Sequence, residues 1–378
     1  MSQNLKIGLI LPAIPGYSET FIWSKIEGLI HCGNPVYLFV NNYKNSDDTN
    51  FHVPIYSQPD KNNRIIYLIT LLVLFLKYPF RVIKFIKWER YTQVNWIVIL
   101  KHLIINSHIL NQNIDWIHFE FATMGIGREN LARAMGVKST VSFRGYDIGL
   151  FPFKHPNCYK LLWETIDKVH TISDDLYSQA LKLGLSSKTP FEKITPAIDT
   201  KYFSTNEQTS LHDPIRIVSI GRLTWKKGFE YCLKSLELLK NEGIQFEYRI
   251  IGEGDYRETI IFALHQLNLV DNVSICGKMP PESIKKELEW ADIYIQSSIQ
   301  EGFGNAVLEA QAMGLLCIVT NAEGLSENVL DGKTGWVVEK RNSVAIKNQI
   351  QQIISSDKEK LNEIRENAVK RVRSNFNL

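Results

Sequence analysis

Short apolar runs alternate with helix-like segments twice along this chain, and that double rhythm limits its fold more than any other feature. In the first half "LKIGLIL" (5–11), "PVYLFV" (35–40), "DWIHFEF" (115–121), "KSTVSF" (138–143) and "DKVHTIS" (167–173) read as strands. The segment "ETFIWSKIEGLIHCG" (19–33) reads as a helix capped by Ser18 and ended by Gly33. A polar, turn-rich stretch, "TKYFSTNEQTSLHDP" (200–214), interrupts the pattern. It then restarts with "IRIVSIG" (215–221), "FEYRIIG" (246–252), "NVSICG" (272–277), "ADIYIQS" (291–297) and "LLCIVTN" (315–321). Strands joined through helices by short links form parallel sheets with helices on both faces. The expectation is an α/β chain of two doubly wound, Rossmann-like domains, 1–200 and 201–378, facing each other across a cleft. Such sheets take ligands outside the carboxyl ends of their strands.

Bulk properties narrow the function. A net charge of +3 gives no general case for nucleic-acid binding. The five cysteines form an odd set without metal or redox spacing, which fits a reducing, cytoplasmic setting. The N-terminal apolar run is short and breaks into a Pro/Gly loop, so it reads as a buried strand and not a signal peptide. One segment departs from the pattern. Between Lys61 and Lys101 lie eight basic residues and a single acid, Glu89, around the apolar run "IIYLITLLVLFL" (65–76). Twelve residues are too few to cross a bilayer core, which takes roughly 20. Lys77, Arg81, Lys84 and Lys87 recur at helical spacing. Two readings stay open for residues 64–90: a basic amphipathic surface that rests on an anionic membrane, or a pair of core helices with a solvated basic face.

Two stretches carry chemistry. In "SIGRLTWKKGFE" (219–230), Arg222 and Lys227 leave the carboxyl end of a strand, where paired cations suit a diphosphate. In "SSIQEGFGNAVLEAQAMG" (297–314), Glu301 precedes a helix expected from about Asn305 to Met313. Gly302 and Gly304 let the backbone approach a ligand, and the helix amides favour a phosphate. Glu309 falls inside that helix among apolar neighbours, where a carboxylate is costly unless it has donors. Two readings of Glu309 stand side by side: a partner for the vicinal hydroxyls of a ribose, or a salt bridge to a neighbouring helix. No Asp-x-Asp occurs, and His118 has no second histidine at ligand spacing, so no metal is expected.

The segments "GRLTWKKG", "IIGEGDYRE", "EGFGNAVLEAQAMG" and "NAEGLSENVLDGKTGWVV" together resemble the retaining nucleotide-sugar glycosyltransferases of family 4, which have the GT-B fold. The N-terminal "PGYSETFIWSKIEGL" is similar to a branch that builds bacterial surface polysaccharides, of the colanic-acid transferase type. The resemblance implies a cytoplasmic enzyme, peripheral on the inner face of the plasma membrane. It would move a sugar from a nucleoside-diphosphate sugar to a lipid-linked surface polysaccharide or lipopolysaccharide acceptor, with retention and without a metal. Arg222 and Lys227 would hold the diphosphate, Glu301 the transferred sugar and Glu309 the ribose. The backbone of Gly302, Phe303, Gly304 and Asn305 would touch sugar and phosphates. Gly252 and Glu253 would flank the nucleotide, Lys278 the base, and Gly16 the diphosphate from the first loop. On the acceptor side stand Glu19, His118, Glu120 and Asp147.

Two departures from the family pattern bear on activity. The turn "SFRGYD" puts Arg144 where many members have a histidine, and arginine cannot act as a general base; its structural alternative is a pair with Asp147. The chain also stops at "RVRSNFNL", where members usually continue into a helix that returns to the N-terminal domain. These departures keep a second reading in play, a nucleotide-sugar-binding protein of the same fold that has lost catalysis. A third, a sugar-nucleotide epimerase, would need an acid/base pair around the donor, and the sequence offers none.

Overall fold

The computed structural model describes residues 4–16, 19–42, 53–59, 64–205 and 210–378. The chain divides into two compact units, Met1–Ile194 and Thr195–Leu378. The division falls earlier than the polar stretch at 200–214 because Ile198 and Thr200 are tied to the end of the chain. The Ile198 amide donates to the Phe376 carbonyl (2.8 Å), the Leu378 amide donates to the Ile198 carbonyl (3.0 Å), and the Thr200 hydroxyl donates to Asn377 Oδ1 (2.5 Å).

The first unit is a seven-stranded sheet of β1 (Ile7–Leu11), β2 (Val36–Val40), β3 (Ile55–Ser57), β4 (Trp116–Phe119), β5 (Lys138–Phe143), β6 (Lys168–Thr171) and β7 (Phe191–Lys193). Its order is β3-β2-β1-β4-β5-β6-β7, and every pairing is parallel. The second unit has six strands: β8 (Ile215–Ile220), β9 (Phe246–Ile251), β10 (Val273–Gly277), β11 (Ile293–Gln296), β12 (Leu316–Thr320) and β13 (Trp336–Val338). Their order, β10-β9-β8-β11-β12-β13, is again wholly parallel. Both units therefore reverse direction beside their first strand, which is where doubly wound sheets open a binding crevice. The three-residue strands β3, β7 and β13 lie outside the runs read from the sequence, being too short to show a period. The capping role given to Ser18 falls outside the described residues; the next helix, α1, spans Thr20–His31.

Packing follows the strand pattern. In the second unit, side chains of alternate parity feed two cores, one on each face. Ile217, Ile250 and Ile295 enter one; Val218, Ile251 and Tyr294 enter the other. The final helix, Lys358–Asn375, is followed by Phe376, which is 5 % exposed and packs on Phe303 with ring centroids 5.6 Å apart.

The first unit adds three helices: α2 (Arg64–Lys77), α3 (Pro79–Tyr91) and α4 (Trp96–Leu110). Helix α3 turns Val82, Phe85 and Glu89 inward and its lysines outward. Helix α2 does not behave as a core helix. Of the residues 65–76 only Leu74 is buried, so the core-pair reading of this segment fails for α2.

Phe376 ties the end of the chain both to Ile198 and to the Phe303 loop. Phe376→Ala is expected to destabilise the second unit by about 3–5 kcal/mol, the usual cost of deleting a buried aromatic ring. Urea unfolding followed by tryptophan fluorescence would show it as a lowered midpoint.

Candidate functional site

The second unit gathers its charged residues at the carboxyl ends of β8 and β11. The chain leaves β8 at Gly221 and passes through Arg222 to a single 3₁₀ turn, Trp225–Lys227. Gly228 then adopts φ +63°, and a Cβ there would lie 2.3 Å from the Ser297 carbonyl oxygen. Only glycine lets this turn sit so close to the exit of β11. The Ser297 hydroxyl donates to the Lys227 carbonyl (3.1 Å), and the amides of Ile299 and Gln300 donate to the Lys226 carbonyl (2.7 and 3.3 Å). This lacing brings the Lys227 ammonium onto Glu301, forming a half-buried ion pair.

Burial alone would raise the Glu301 carboxyl. The Lys227 ammonium, its hydrogen bond and the nearby Lys226 outweigh burial and hold it below its ordinary value. Lys226, which sequence reading passed over, feels the same cluster. Burial lowers its ammonium, Glu301 raises it, and Arg222 and Lys227 lower it. Arg222 stays exposed.

The loop after Glu301 is held from behind. Gly304 has φ +88°, and a Cβ would meet Leu325 Cδ2 at 2.8 Å. Asn328 donates from Nδ2 to the carbonyls of Phe303 and Gly304, both at 3.0 Å, and accepts from Gln311 (2.8 Å). Arg371 in turn donates to the Asn328 and Glu327 carbonyls. Asn328 and Arg371 lie far along the chain, and no local motif announced them. Phe303, whose backbone was expected at the donor, is 2 % exposed and packs its ring into the core.

The helix Asn305–Ala312 comes next, with no side chain capping its first turn. Glu309 is its fifth residue, about 6 Å along the axis. Its carboxylate has no ion-pair or hydrogen-bond partner among the described residues, so the salt bridge to a neighbouring helix is absent. Burial raises its carboxyl to about 7. Both carboxylates lie within the field of the Tyr294 phenol, whose ionisation is suppressed first by burial and then by Cys317, Glu309 and Glu301.

The neighbouring loops are stitched to the same edge. The Gly221 amide donates to the Ile251 carbonyl (2.9 Å), the Leu223 amide to the Glu253 carbonyl (2.9 Å) and the Gly252 amide to the Gly277 carbonyl (2.8 Å). Gly252, Glu253 and the exposed Lys278 therefore stand beside Arg222, as a ligand crossing the ends of β8, β9 and β10 would require.

The first unit holds a second polar group at the ends of β4, β5 and β6. Glu120 is fully buried, with one carboxylate oxygen on the Lys25 ammonium and the other 2.8 Å from Arg144 Nη2. Burial would raise its carboxyl, but Lys25, His118 and Arg144 together hold it far below its usual range. Glu120 is thus a fixed anion and no proton acceptor. Its place is behind Arg144 and Lys25, which corrects the acceptor contact expected of it.

Arg144 lies over the Phe21 ring at 4.4 Å, and its buried Nε has no partner. It pairs with Glu120 and not with Asp147. Asp147, 1 % exposed, accepts instead from the amides of Ala122 (2.9 Å), Arg144 (3.0 Å) and Gly145 (3.0 Å). Its carboxylate fastens two turns together and is closed to an acceptor. Glu19 is similarly engaged: its carboxylate accepts from the Gly16 amide (3.0 Å). A Cβ on Gly16 would have nothing within 4 Å, so that backbone stands open.

His118 Nε2 lies 2.8 Å from Lys25 Nζ and 2.7 Å from Ser142 Oγ. Ser142 Oγ also lies 2.7 Å from His170 Nδ1, and His170 Nε2 is 3.2 Å from the Ile194 carbonyl. Burial, then Lys25, keeps His118 well below its ordinary value; burial and Arg144 lower His170 to about 4. Both rings are neutral near pH 7. Lys25, Ser142 and His170 were not found by sequence reading, although His170 is the histidine nearest His118 in the sheet.

With this geometry in view, residues 203–371 match the family described as glycosyl transferases group 1. Over 365 residues it is 26% identical to the amylovoran biosynthesis glycosyltransferase AmsK of Erwinia amylovora, covering 90% of this chain and 89% of that one. Over 228 residues it is 29% identical to the putative colanic acid biosynthesis glycosyltransferase WcaL of Escherichia coli, covering 58% of this chain and 55% of that one. Its fold is shared with the sucrose-phosphate synthase of Thermosynechococcus elongatus (TM-score 0.72, 19% identity, 99% and 95% of the two chains). It is shared equally with Anabaena Alr3699/HepE, solved in complex with UDP and glucose (TM-score 0.70, 16% identity, 99% and 96%). Two Rossmann-like parallel sheets in one chain give the GT-B fold, as the family resemblance implied.

The unpartnered Glu309 supplies a test that needs no ligand. Its carboxyl is raised on folding, so the folded state binds the extra proton and stability falls as pH rises from about 4.5 through about 7. Glu309→Gln removes this cost. The variant is expected to exceed the parent by about 1–2 kcal/mol at pH 8, with the difference gone by pH 5, as read by urea midpoints at both values. Glu120→Gln is expected to do the reverse in the first unit. It leaves Lys25 and Arg144 without their full counter-charge and lowers stability by about 3–5 kcal/mol in the same assay.

Proposed function

We propose that the chain transfers a sugar from a nucleoside-diphosphate sugar to a growing, lipid-linked surface polysaccharide, with retention of configuration and without a bound metal ion. The observation that carries this reading is the pairing of Lys227 with Glu301 beside an unpartnered Glu309. One carboxylate is fixed as an anion by a cation, and the other is left wanting hydrogen-bond donors. A nucleotide sugar answers both: its ribose hydroxyls donate to Glu309, and the hydroxyls of the transferred sugar reach Glu301.

Arg222, Lys226 and Lys227 concentrate positive charge where a diphosphate would leave. Such preorganised charge stabilises the departing nucleotide without reorganisation at the moment of reaction. The amides at the start of Asn305–Ala312 add to it. No protein nucleophile is needed in this scheme. The leaving phosphate takes the acceptor's proton, and the new bond forms on the face from which the nucleotide departs. In the first unit the partly exposed guanidinium of Arg144, held by Glu120, suits a phosphate or a sugar hydroxyl on the acceptor. The relatives named for amylovoran and colanic acid biosynthesis support a surface polysaccharide as the product class.

The test is donor binding and release of free nucleoside diphosphate across a panel of nucleotide sugars, with EDTA present. Glu309→Gln is expected to weaken donor binding tenfold or more on the order of one lost charge-assisted hydrogen bond, while Glu301→Gln keeps binding and loses turnover. Parent affinity should tighten as pH rises through about 7, where Glu309 ionises, and the Gln variant should be flat. Equal affinity in parent and Glu309→Gln would remove the ribose assignment. Release that stops with EDTA and returns with a divalent cation would remove the metal-free one.

A further inference from the structure

The first unit carries an apolar surface that its own core does not use. Helix α2 has 14 residues, and its face of Tyr67, Thr70, Leu71 and Leu74 is the one turned inward. The remaining faces are open: Leu68 is 70% exposed, Leu72 60% and Leu76 76%. Phe80 of α3 (79%) and Trp96 and Ile97 of α4 (55% and 66%) extend the patch. Soluble monomers rarely show a contiguous apolar area beyond a few hundred Å² unless something covers it.

The charges around the patch say what covers it. Lys77, Lys84, Lys87, Arg90 and Lys101 are exposed on the same three helices. The lone acid of 61–101, Glu89, is 1% exposed and turned inward, bonded to His102 (2.7 Å) and Asn130 (3.0 Å). Among the described residues of these three helices the surface is therefore apolar and cationic, with no exposed acid. A second copy seated face to face would set these cations against one another. An anionic lipid surface would receive the side chains and neutralise the rim.

By itself α2 is about 21 Å long, short of a core of about 30 Å. Among the described residues no helix is long and apolar enough to span, and α2 and α3 are bent by 108° at their junction. That bend lets α2 enter a bilayer surface while the basic face of α3 stays at the headgroups. Arg90 stacks on Trp96 at 5.1 Å, and Arg81 bonds the Leu110 and Gln112 carbonyls, which fixes α3 against both ends of α4.

We propose that α2, the start of α3 and the first turns of α4 form a docking surface that inserts into the interface of an anionic membrane. This goes beyond a purely electrostatic contact, because the apolar side chains enter the acyl boundary.

The experiment is flotation of the full chain with vesicles of phosphatidylcholine containing about one third phosphatidylglycerol, against phosphatidylcholine alone. Neither donor nor acceptor is present, so the outcome is independent of the transfer reaction. The parent is expected to float with the anionic vesicles and to remain partly bound in about 0.5 M salt, where screening leaves only the apolar contribution. Leu72→Glu/Leu76→Glu should lose partitioning at least tenfold in both salts, and Lys84→Glu/Lys87→Glu chiefly in low salt. Both pairs are exposed, and unchanged far-ultraviolet circular dichroism would certify the fold. Quenching of the parent's tryptophan fluorescence by brominated lipid gives a second reading that uses no variant. Three results would overturn the proposal: a parent that stays unbound on anionic vesicles, a Leu72→Glu/Leu76→Glu variant that floats like the parent, or a stable parent dimer that this variant dissolves.

Discussion

Parallel strands all leave a sheet at the same edge, and everything chemical in this chain depends on that constraint. Strands β8 and β11 are neighbours in space, with Ser219 bonded to the Ile295 carbonyl across 76 residues of sequence. Because they run the same way, their exit loops arrive at one place, one bringing Arg222, Lys226 and Lys227 and the other Glu301. The order with the first strand beside the fourth separates the connections on either side, so the edge between them is left for loops. The first unit repeats the device. Glu120 after β4, Arg144 after β5 and His170 on β6 meet because their strands share a direction and a register.

The two edges are tuned differently. In the first unit a buried anion is matched by Lys25 and Arg144, which turns a costly charge into an anchor for cations. In the second, Glu301 is matched but Glu309 is not. A chain that leaves one carboxyl unsatisfied keeps stability in reserve at a single site. That is the usual signature of a group held for a ligand and not for the fold.

Much of the framework was legible because buried parallel strands are continuous apolar runs, and ten such runs coincide with β1, β2, β4 to β6 and β8 to β12. The three short strands escaped for lack of length. The second unit's site was legible because Glu301, the glycines and Glu309 are contiguous, so helix periodicity alone relates them. The first unit's site was only partly so. Lys25, Ser142 and His170 come from three separate elements, and only the pairing of Ser142 with His170 across β5 and β6 brings those two together. Roles assigned residue by residue to Glu120 and Asp147 failed for the same cause: burial and partner were invisible. The segment 65–76 shows the limit from the other side. A helix apolar all round reads as core, and nothing in its own sequence says that no protein covers it.

The row of Lys25, His118, Ser142 and His170 has one hydrogen fewer than its contacts. His170 gives its Nε2 hydrogen to the Ile194 carbonyl, so its Nδ1 can only accept. His118 Nε2 faces an ammonium, so it too can only accept. Ser142 lies 2.7 Å from both rings with a single hydroxyl hydrogen to offer. The two imidazoles are therefore never equivalent at one instant. Rotation about the Ser142 Cβ–Oγ bond exchanges which ring is served, without moving a heavy atom and without disturbing the donors at either end of the row.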